Sequence, residues 1–202
     1  MKIVFMGTPD FSVSCLEALA ASKHEVAAAV CQPDKPKGRT QQLCPPPVKV
    51  TALEKGIPVY QPATLKNGKG VELLRELEPD IVIVVAYGKI LPPDFLSYPK
   101  YGCVNIHASL LPKYRGSSPI QWSVLNGDAE TGVTSMQMDE GIDTGDILLT
   151  EKTAIGENET SEQLFERLAV LGAQVLLETL EQIENGTAVP VKQDEAGATY
   201  AG

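Results

Sequence analysis

An unbroken apolar run at residues 81–85 constrains the fold more than any other part of the sequence. Residues 80–85 read DIVIVV, so both faces of a strand formed here would be apolar. A strand buried on both faces is typical of a parallel sheet covered by helices. An apolar segment at 2–6, a turn at 7–10 and a helical apolar spacing up to residue 19 begin a βαβ unit. The sequence therefore predicts an α/β fold with a doubly wound, mostly parallel sheet.

The remaining periodicity predicts further strands and helices. The predicted strands cover residues 25–31, 59–61, 103–107 and 131–138. The predicted helices cover residues 48–55, 71–77, 120–125 and 161–183, and Thr160 is a suitable N-cap for the last of them.

Composition limits the classes of protein to consider. With 202 residues, 43% of them hydrophobic, the chain can bury one substantial core. The N-terminal apolar run is short and Asp10 follows it, so neither a signal peptide nor a membrane span is expected, and the protein is expected in the cytoplasm. A net charge of −9 argues against a non-specific nucleic-acid coat, because phosphate binding depends on clustered Lys and Arg.

Metal and dinucleotide chemistry are not expected. The four cysteines are scattered without a Cys-x-x-Cys pair, which predicts reduced thiols and no zinc site: Cys15, Cys31, Cys44 and Cys103. Residues 7–12 contain a single glycine in place of Gly-x-Gly-x-x-Gly, which argues against NAD. Residues 139–146 lack the spacing of an EF-hand calcium loop.

Polar residues mark the end of the strand predicted at 103–107. Side chains alternate along a strand, so Asn105 and His107 lie on the same face. Ligands of open α/β sheets bind at the carboxyl ends of strands, where this pair would lie, and residues 87–91 leave another strand at the same edge. His107 could instead be a neutral structural histidine. The polar and basic segment 109–116 directly behind the strand favours a functional site.

An acidic loop follows the strand predicted at 131–138. Residues 139–146 contain four carboxylates and two glycines. The segment is either a plain hairpin loop or the source of a carboxylate for His107.

A basic segment has two interpretations as well. Residues 33–47 contain Lys35, Lys37 and Arg39, and Lys49 follows soon after. The segment is either a solvated loop kept open by its prolines and glycine, or a flexible basic finger for a phosphate-bearing substrate.

The polar motifs together resemble the signature of the folate-dependent formyltransferases. The matching residues are Asn105-Ile106-His107, Ser109-Leu110-Leu111-Pro112, Arg115-Gly116 and Asp143. The start Met6-Gly7-Thr8-Pro9-Asp10-Phe11, the Arg39 loop and the closing residues 193–195 and 198–201 resemble the branch of that family that acts on methionyl-tRNA. This resemblance covers essentially the whole chain.

The resemblance implies a fold, a donor and an acceptor. Residues 1–190 would form a Rossmann-like formyltransferase catalytic domain, and residues 191–202 would begin a linker to a C-terminal tRNA-binding β-barrel that is absent, which reduces the expected tRNA affinity. The donor would be 10-formyltetrahydrofolate and the acceptor the amino group of methionine on initiator tRNA. A monomer without a metal or a membrane partner is expected.

The resemblance also implies roles for individual residues. The catalytic residues would be Asn105, His107 and Asp143. Binding of the folate donor is implied for Tyr87, Gly88, Lys89, Ile90, Leu91, Ser109, Leu110, Leu111, Pro112, Asp139, Glu140 and Gly141. Binding of the acceptor substrate is implied for Phe11, Lys35, Lys37, Arg39 and Arg115.

The proposed chemistry suits these residue types. An amine that attacks a formyl carbon creates a tetrahedral oxyanion, and each preset hydrogen-bond donor lowers that barrier by ~3 kcal/mol. Asn105 would supply such a donor, His107 could donate or transfer a proton, and Asp143 would hold the ring. No Ser or Cys is positioned as an evident nucleophile beside His107, with Ser109 two residues away as a weak rival, and this favours direct transfer over an acyl-enzyme.

Other functions remain open on the sequence alone. The same catalytic residues would serve a small amine acceptor, either glycinamide ribonucleotide or an amino sugar nucleotide. A Gly-rich loop after the first strand would favour the ribonucleotide, and Gly7-Thr8-Pro9 does not provide it. A non-catalytic folate-binding module would lack one of the three catalytic side chains, whereas all three are present.

Overall fold

The computed structural model describes all residues from Met1 to Gly202, which form two compact units, Met1–Cys103 and Val104–Gly202. The elements of the first unit are β1 (Lys2–Gly7), α1 (Asp10–Ala20), β2 (Glu25–Val30), β3 (Lys35–Lys37), β4 (Gln42–Cys44), α2 (Pro47–Glu54), β5 (Val59–Tyr60), α3 (Lys69–Leu77), β6 (Ile81–Val85) and α4 (Pro93–Ser97). The later elements are β7 (Cys103–His107), α5 (Pro119–Leu125), β8 (Glu130–Gln137), β9 (Ile147–Ala154), α6 (Ser161–Asn185) and a final 3-10 helix (Glu195–Gly197).

The first unit contains a parallel sheet. Its strands are hydrogen-bonded in the order β5, β2, β1 and β6, and all three pairs are parallel. Every residue of β6 is buried, as its unbroken apolar sequence predicts. Burial of each aliphatic side chain on such a strand stabilises the fold by roughly 1.5–3 kcal/mol. The predicted α/β class and the parallel sheet are confirmed.

Gly7 ends β1 at a close approach of three elements. A Cβ atom at this position would lie 2.7 Å from the carbonyl oxygen of Val85 and 2.8 Å from the Cβ of Ser12. The hydroxyl of Ser12 donates a hydrogen bond of 2.5 Å to the same carbonyl. Gly7 therefore allows α1 to pack closely against the ends of β1 and β6.

The basic segment folds differently from its prediction. Residues 33–47 were expected to form an open loop, but β3 and β4 pair as an antiparallel hairpin in which Lys35 faces Cys44 and Lys37 faces Gln42. Gly38 reverses the chain with φ 73°, a conformation that glycine adopts without strain. The two strands are almost entirely exposed, so no apolar alternation marks them in the sequence. We call residues 35–44 the basic hairpin.

Lys49 adds little to the positive charge of the basic hairpin, because a carboxylate neutralises it. Its ammonium group forms an ion pair of 2.9 Å with Asp34. Gln61 donates a hydrogen bond of 2.7 Å to the same carboxylate. The hydrogen bonds from Gln61 and Lys49 hold the pKa of Asp34 below its ordinary value. Three side chains thus fix the point where the chain enters the basic hairpin.

The second unit contains an antiparallel arrangement. Strand β8 pairs with β7 on one side and with β9 on the other. Asn105 lies opposite Met136 and His107 lies opposite Thr134. The acidic segment 139–146 connects β8 to β9, so it forms a hairpin loop, and this loop carries Asp143.

Helix α6 covers β8. Thr160 caps its N-terminus in a capping box with Gln163, which confirms the predicted cap. On the buried face of α6, the hydroxyl of Thr179 donates to the carbonyl of Val175 at 2.7 Å and forms a 2.7 Å hydrogen bond with the hydroxyl of Ser135 on β8. No helix of the structure, α6 included, combines the length and apolar content that crossing a bilayer requires.

The C-terminal segment, which we define as residues 191–201, packs within the second unit. Val191 and Ile147 exchange backbone hydrogen bonds of 2.8 and 2.9 Å, Tyr200 pairs with Arg115, and Ala201 is fully buried. A linker that begins at residue 191 would therefore begin as part of this unit. That boundary stays a prediction.

Candidate active site

Asn105 and His107 lie on the same face of β7, as alternation along the strand predicts. The side-chain oxygen Oδ1 of Asn105 is buried and has no hydrogen-bond partner in the chain. A buried acceptor without a partner costs roughly 1–3 kcal/mol, so native proteins keep such atoms chiefly where a ligand or water completes them. The side-chain amide of Asn105 is therefore available to bind a ligand.

The surroundings of His107 determine which ring nitrogen carries a proton. Nε2 lies 2.8 Å from the carbonyl oxygen of Tyr114. A carbonyl oxygen can only accept, so Nε2 must be the donor. In the neutral ring Nδ1 is then the atom that can accept a proton. The backbone of Tyr114 thus fixes the ring and directs proton transfer to Nδ1.

Asp143 lies next to that free nitrogen. Its Oδ2 atom is 3.7 Å from Nδ1 of His107 and accepts a 2.8 Å hydrogen bond from the backbone N–H of Gly116. Asp143 has φ 55°, which is unusual for a residue with a side chain. The structure therefore brings Asp143, which lies in the β8–β9 loop and 36 positions further along the chain, next to His107. His107 and Asn105 lie on the same strand, β7.

Tyr114 is itself held by a polar cluster. Its hydroxyl donates a 2.6 Å hydrogen bond to Asp128 and accepts one of 2.8 Å from Asn126. Lys113 forms an ion pair of 2.9 Å with the same carboxylate. Burial would raise the pKa of Asp128, but the hydrogen bonds from Tyr114 and Lys113 outweigh it and hold that pKa below its ordinary value. The loop that orients His107 is thus anchored through Asp128.

Replacement of Asp128 by Asn is expected to lower the free energy of unfolding at pH 7 by about 1–2 kcal/mol, because hydrogen bonds to a carboxylate are stronger than neutral ones. The folded pKa of Asp128 is depressed, so its contribution is present above the ordinary carboxyl pKa of about 4 and is lost as pH falls through the folded value. Urea unfolding at pH 7 and about pH 2 measures this. The exposed Glu181→Gln is the control, and a difference that persists undiminished in acid would contradict the expectation.

The hydroxyl of Ser109 is engaged within its own loop. It is buried and donates a 2.6 Å hydrogen bond to the backbone carbonyl of Lys113. The backbone carbonyl of Ser109 accepts a 2.7 Å hydrogen bond from the hydroxyl of Thr134. A cis peptide bond joins Leu111 to Pro112 in the same loop. These contacts shape the loop after β7, and the predicted folate contacts of residues 109–112 stay a prediction.

The acidic residues before Asp143 stabilise their own loop. The carboxylate of Asp139 accepts hydrogen bonds from the backbone N–H of Gly141 at 3.0 Å and from the hydroxyl of Thr144 at 2.6 Å. Glu140 is exposed. The assignment of Asp139, Glu140 and Gly141 to the folate donor is untested.

The predicted site residues at 87–91 lie in the first unit. The hydroxyl of Tyr87 is buried without a hydrogen-bond partner, and burial, aided by Cys31, raises its pKa to about 12. Lys89 donates a 2.8 Å hydrogen bond to the carbonyl of Ala63. Gly88 has φ 89°, while Ile90 is exposed and Leu91 is buried. Their assignment to the folate donor stays a prediction.

The predicted acceptor residues divide into exposed and buried ones. Lys35, Lys37 and Arg39 are exposed on the basic hairpin, whereas Phe11 is buried on α1. Arg115 is only 1% exposed. Its predicted contact with substrate is untested.

The guanidinium group of Arg115 is fully engaged within the chain. It donates to Gln193 from Nε and Nη2 at 3.1 and 2.9 Å, and to Glu195 from Nη1 and Nη2 at 3.1 and 2.8 Å. The hydrogen bonds with Glu195 raise the pKa of Arg115 further above its ordinary value. A contact with substrate would require some of these bonds to break. Residues 193–195 contribute to the family resemblance, but no role was predicted for them.

Comparison with known proteins identifies the class of protein to which this site belongs. The family model described as formyl transferase matches residues 1–180. The chain belongs to the formyl transferase family, which confirms the predicted resemblance. It is 52% identical over 201 residues to the methionyl-tRNA formyltransferase of Citrifermentans bemidjiense, covering 100% of this chain and 63% of that protein. It is 54% identical over 193 residues to the methionyl-tRNA formyltransferase of Pelotomaculum thermopropionicum, covering 96% of this chain and 62% of that protein. The chain thus spans less than two thirds of these relatives.

Solved structures confirm the Rossmann-like formyltransferase fold. Glycinamide ribonucleotide transformylase 1 from Symbiobacterium toebii superposes with a TM-score of 0.77 at 19% identity, over 96% of this chain and 94% of that one. An N-formyltransferase from Helicobacter canadensis, solved with folinic acid and dTDP-3-aminofucose, superposes with a TM-score of 0.74 at 23% identity, over 100% of this chain and 70% of that one.

Proposed function

We propose that this chain transfers the formyl group of 10-formyltetrahydrofolate to the amino group of methionine carried on initiator tRNA. The observation that carries the chemistry is the pair formed by Nδ1 of His107 and Asp143, beside the unsatisfied amide of Asn105. The choice of acceptor is supported by relatives more than 50% identical, which are named methionyl-tRNA formyltransferases.

His107 and Asp143 would move the proton. Attack by the amine on the formyl carbon requires the nitrogen to lose a proton, and Nδ1 of His107 is the ring atom able to take it. The carboxylate of Asp143 would stabilise the resulting imidazolium. The same proton can then pass to the departing folate nitrogen, which leaves His107 neutral for the next cycle.

Asn105 would stabilise the developing charge. The formyl oxygen becomes an oxyanion in the tetrahedral intermediate, and an amide N–H directed at it is worth ~3 kcal/mol. The Nδ2 group of Asn105 would be the donor, and the buried Oδ1 of the same amide, which has no partner in the chain, supports the view that this side chain is kept for a ligand. Because the hydroxyl of Ser109 is hydrogen-bonded to a backbone carbonyl, direct transfer is favoured over an acyl-enzyme.

The donor would be held by residues from three loops. The relative from Helicobacter canadensis was solved with folinic acid, a formylated folate, which supports a folate donor for this chain. The buried, unsatisfied hydroxyl of Tyr87 is a second polar atom suited to a ligand. We assign the donor to residues 87–91, 109–112 and 139–141.

A single copy of the chain would suffice for catalysis. Asn105, His107 and Asp143 all lie in the second unit of one chain, so a monomer provides the three catalytic groups. A tRNA acceptor supports a cytoplasmic location for the proposed reaction.

A radiolabel transfer assay tests the acceptor. The purified protein is incubated with formyl-labelled 10-formyltetrahydrofolate and one of three acceptors: methionyl initiator tRNA, glycinamide ribonucleotide or an amino sugar nucleotide. Transfer to the tRNA at a kcat/KM at least tenfold above the other two is expected. Preference for either small acceptor would overturn the assignment, and binding of folate without transfer to any acceptor would indicate a non-catalytic module.

The basic hairpin would contact the acceptor rather than the donor. Arg39 is exposed beside Gly38 at the turn, and its planar guanidinium can hold a pair of phosphate oxygens. Arg39→Ala is therefore expected to raise KM for the tRNA by about tenfold at low salt, equivalent to ~1.4 kcal/mol, with less effect as salt screens the contact. KM for the folate should be unchanged.

Steady-state kinetics measure this effect. The tRNA is varied at fixed folate, then the folate at fixed tRNA, each at two salt concentrations. Arg75→Ala, which removes an exposed arginine of α3 in the same unit, is the matched control. A change confined to the folate dependence would mean that the basic hairpin serves the donor.

A further inference from the structure

Gln193 connects a buried arginine to the loop that carries Asp143. Its Oε1 accepts two hydrogen bonds from Arg115, at 3.1 and 2.9 Å. Its Nε2 donates to the backbone carbonyls of Asp143 and Gly145, at 2.8 and 2.7 Å. The side chain is 9% exposed, so water competes little for these bonds. The hydrogen-bonding capacity of this amide is therefore used within the chain.

The partners of Gln193 permit only one orientation of its amide. A guanidinium group has donors only, and a carbonyl oxygen has acceptors only. If the amide turned by 180°, its N–H groups would face Arg115 and its oxygen would face the carbonyls of Asp143 and Gly145. Arg115 thus selects the orientation in which Gln193 donates to the loop.

The loop needs this support because Asp143 has a strained backbone. A residue with a side chain at φ 55° costs of order 1–3 kcal/mol and persists only where its surroundings hold it. The N–H of Gly116 binds the carboxylate, whereas Gln193 binds the carbonyl of the same residue. The two contacts fix the side chain and the backbone of Asp143 separately.

The same C-terminal segment also holds the loop that orients His107. The backbone N–H of Arg115 donates to the carbonyl of Thr199 at 2.8 Å. The backbone N–H of Ala201 donates to the backbone carbonyl of Arg115 at 2.7 Å. The N–H of Tyr114 donates to the hydroxyl of Thr199 at 2.8 Å. Tyr114 supplies the carbonyl that fixes His107, so one segment supports both catalytic residues.

We propose that Gln193, oriented by Arg115, is a positioning residue that holds Asp143 beside Nδ1 of His107. Gln193 acts through the backbone of residues 143–145. The kinetic part of its test rests on the proposed function, whereas the spectroscopic part does not.

Gln193→Glu is the most informative variant. Glutamate has the same shape and retains the contact with Arg115, but it sets an oxygen against the carbonyls of Asp143 and Gly145. We expect kcat to fall by at least tenfold, while KM for 10-formyltetrahydrofolate stays within about twofold. Gln174→Glu, an exposed position on α6, is the matched control and should match the unmodified protein. An unchanged kcat would overturn the proposal.

A double-mutant cycle separates positioning from a general structural role. If Gln193 acts through Asp143, then Gln193→Glu should lower kcat by less than about twofold when Asp143→Asn is already present. Fully additive losses would mean that Gln193 acts elsewhere.

Nuclear magnetic resonance of labelled histidine tests the proposal without catalysis. The chain has two histidines, and His24 in the first unit is an internal reference for His107 in the second. At one fixed pH, Gln193→Glu should shift the ring-nitrogen signals of His107 and leave those of His24 unchanged. Unchanged signals of His107 would overturn the proposal. If Gln193→Glu does not fold, Gln193→Met gives the same measurement. Absence of formyl transfer by the unmodified protein would refute the proposed function alone, because this measurement would still decide the role of Gln193.

Discussion

Replacement of His107 by Gln is expected to lower kcat by about 10²–10⁴-fold, the range that a positioned general acid or base contributes. Glutamine can still donate a hydrogen bond to the carbonyl of Tyr114, but it offers no atom that takes a proton at neutral pH. KM for the folate donor should change by less than about threefold, because the lost interaction belongs to the transition state. Steady-state kinetics with each substrate varied in turn measure both constants.

The second histidine provides the control for this experiment. His24→Gln makes the same chemical change in the first unit, where the ring contacts the N-terminal amine. Its kcat should stay within about twofold of that of the unmodified protein. A His107→Gln protein that keeps its kcat but loses folate affinity would show that His107 binds the donor and does not transfer protons.

Gly145→Ala is expected to disturb stability and catalysis together. A Cβ atom at Gly145 would overlap with the carbonyl oxygen of Gln137, so the backbone at the end of β8 must move. Overpacking of this kind is expected to lower the free energy of unfolding by at least about 2 kcal/mol. The carbonyl of Gly145 also accepts a hydrogen bond from Gln193, and Asp143 lies two residues away. We therefore expect kcat to fall by at least tenfold in the protein that remains folded.

Urea unfolding and kcat of Gly145→Ala are compared with those of Gly156→Ala. At Gly156 the nearest atom to an added Cβ is the Cβ of Glu159 at 3.4 Å, an ordinary contact. The control should unfold at nearly the same urea concentration as the unmodified protein. Equal stability of the two variants would show that the end of β8 yields easily and does not position Asp143.

The main elements of the fold could be predicted because their signals are local. Strand β6 is apolar at every position, and α6 shows a long apolar stripe after a capping residue. The predicted ends differ from the observed ends by one or two residues in most elements. Helix α4 was not predicted, because five residues are too few to show a helical period. The basic hairpin was predicted as a loop, because its exposed strands have no apolar face.

The candidate site was predictable only in part, because only some of its contacts follow from local sequence patterns. Alternation along β7 places Asn105 and His107 on one face, and this follows from the sequence. The meeting of His107 with Asp143 depends on the β8–β9 loop and on the backbone N–H of Gly116. The partners of Arg115 lie 78–85 residues along the chain, and no local pattern reveals them. The family resemblance assigned Arg115 to the substrate, and that assignment stays a prediction beside the hydrogen bonds that its guanidinium group makes within the chain.

The burial of three cysteines makes the fourth a unique chemical handle. Cys15, Cys31 and Cys103 are buried, and burial raises the pKa of their thiols to about 12, 11 and 12. Only a thiolate reacts with a maleimide, so these three would be almost inert at neutral pH. Cys44 is half-buried on β4 of the basic hairpin. A fluorophore could therefore be attached there without any engineered mutation, on the element proposed to meet an incoming RNA.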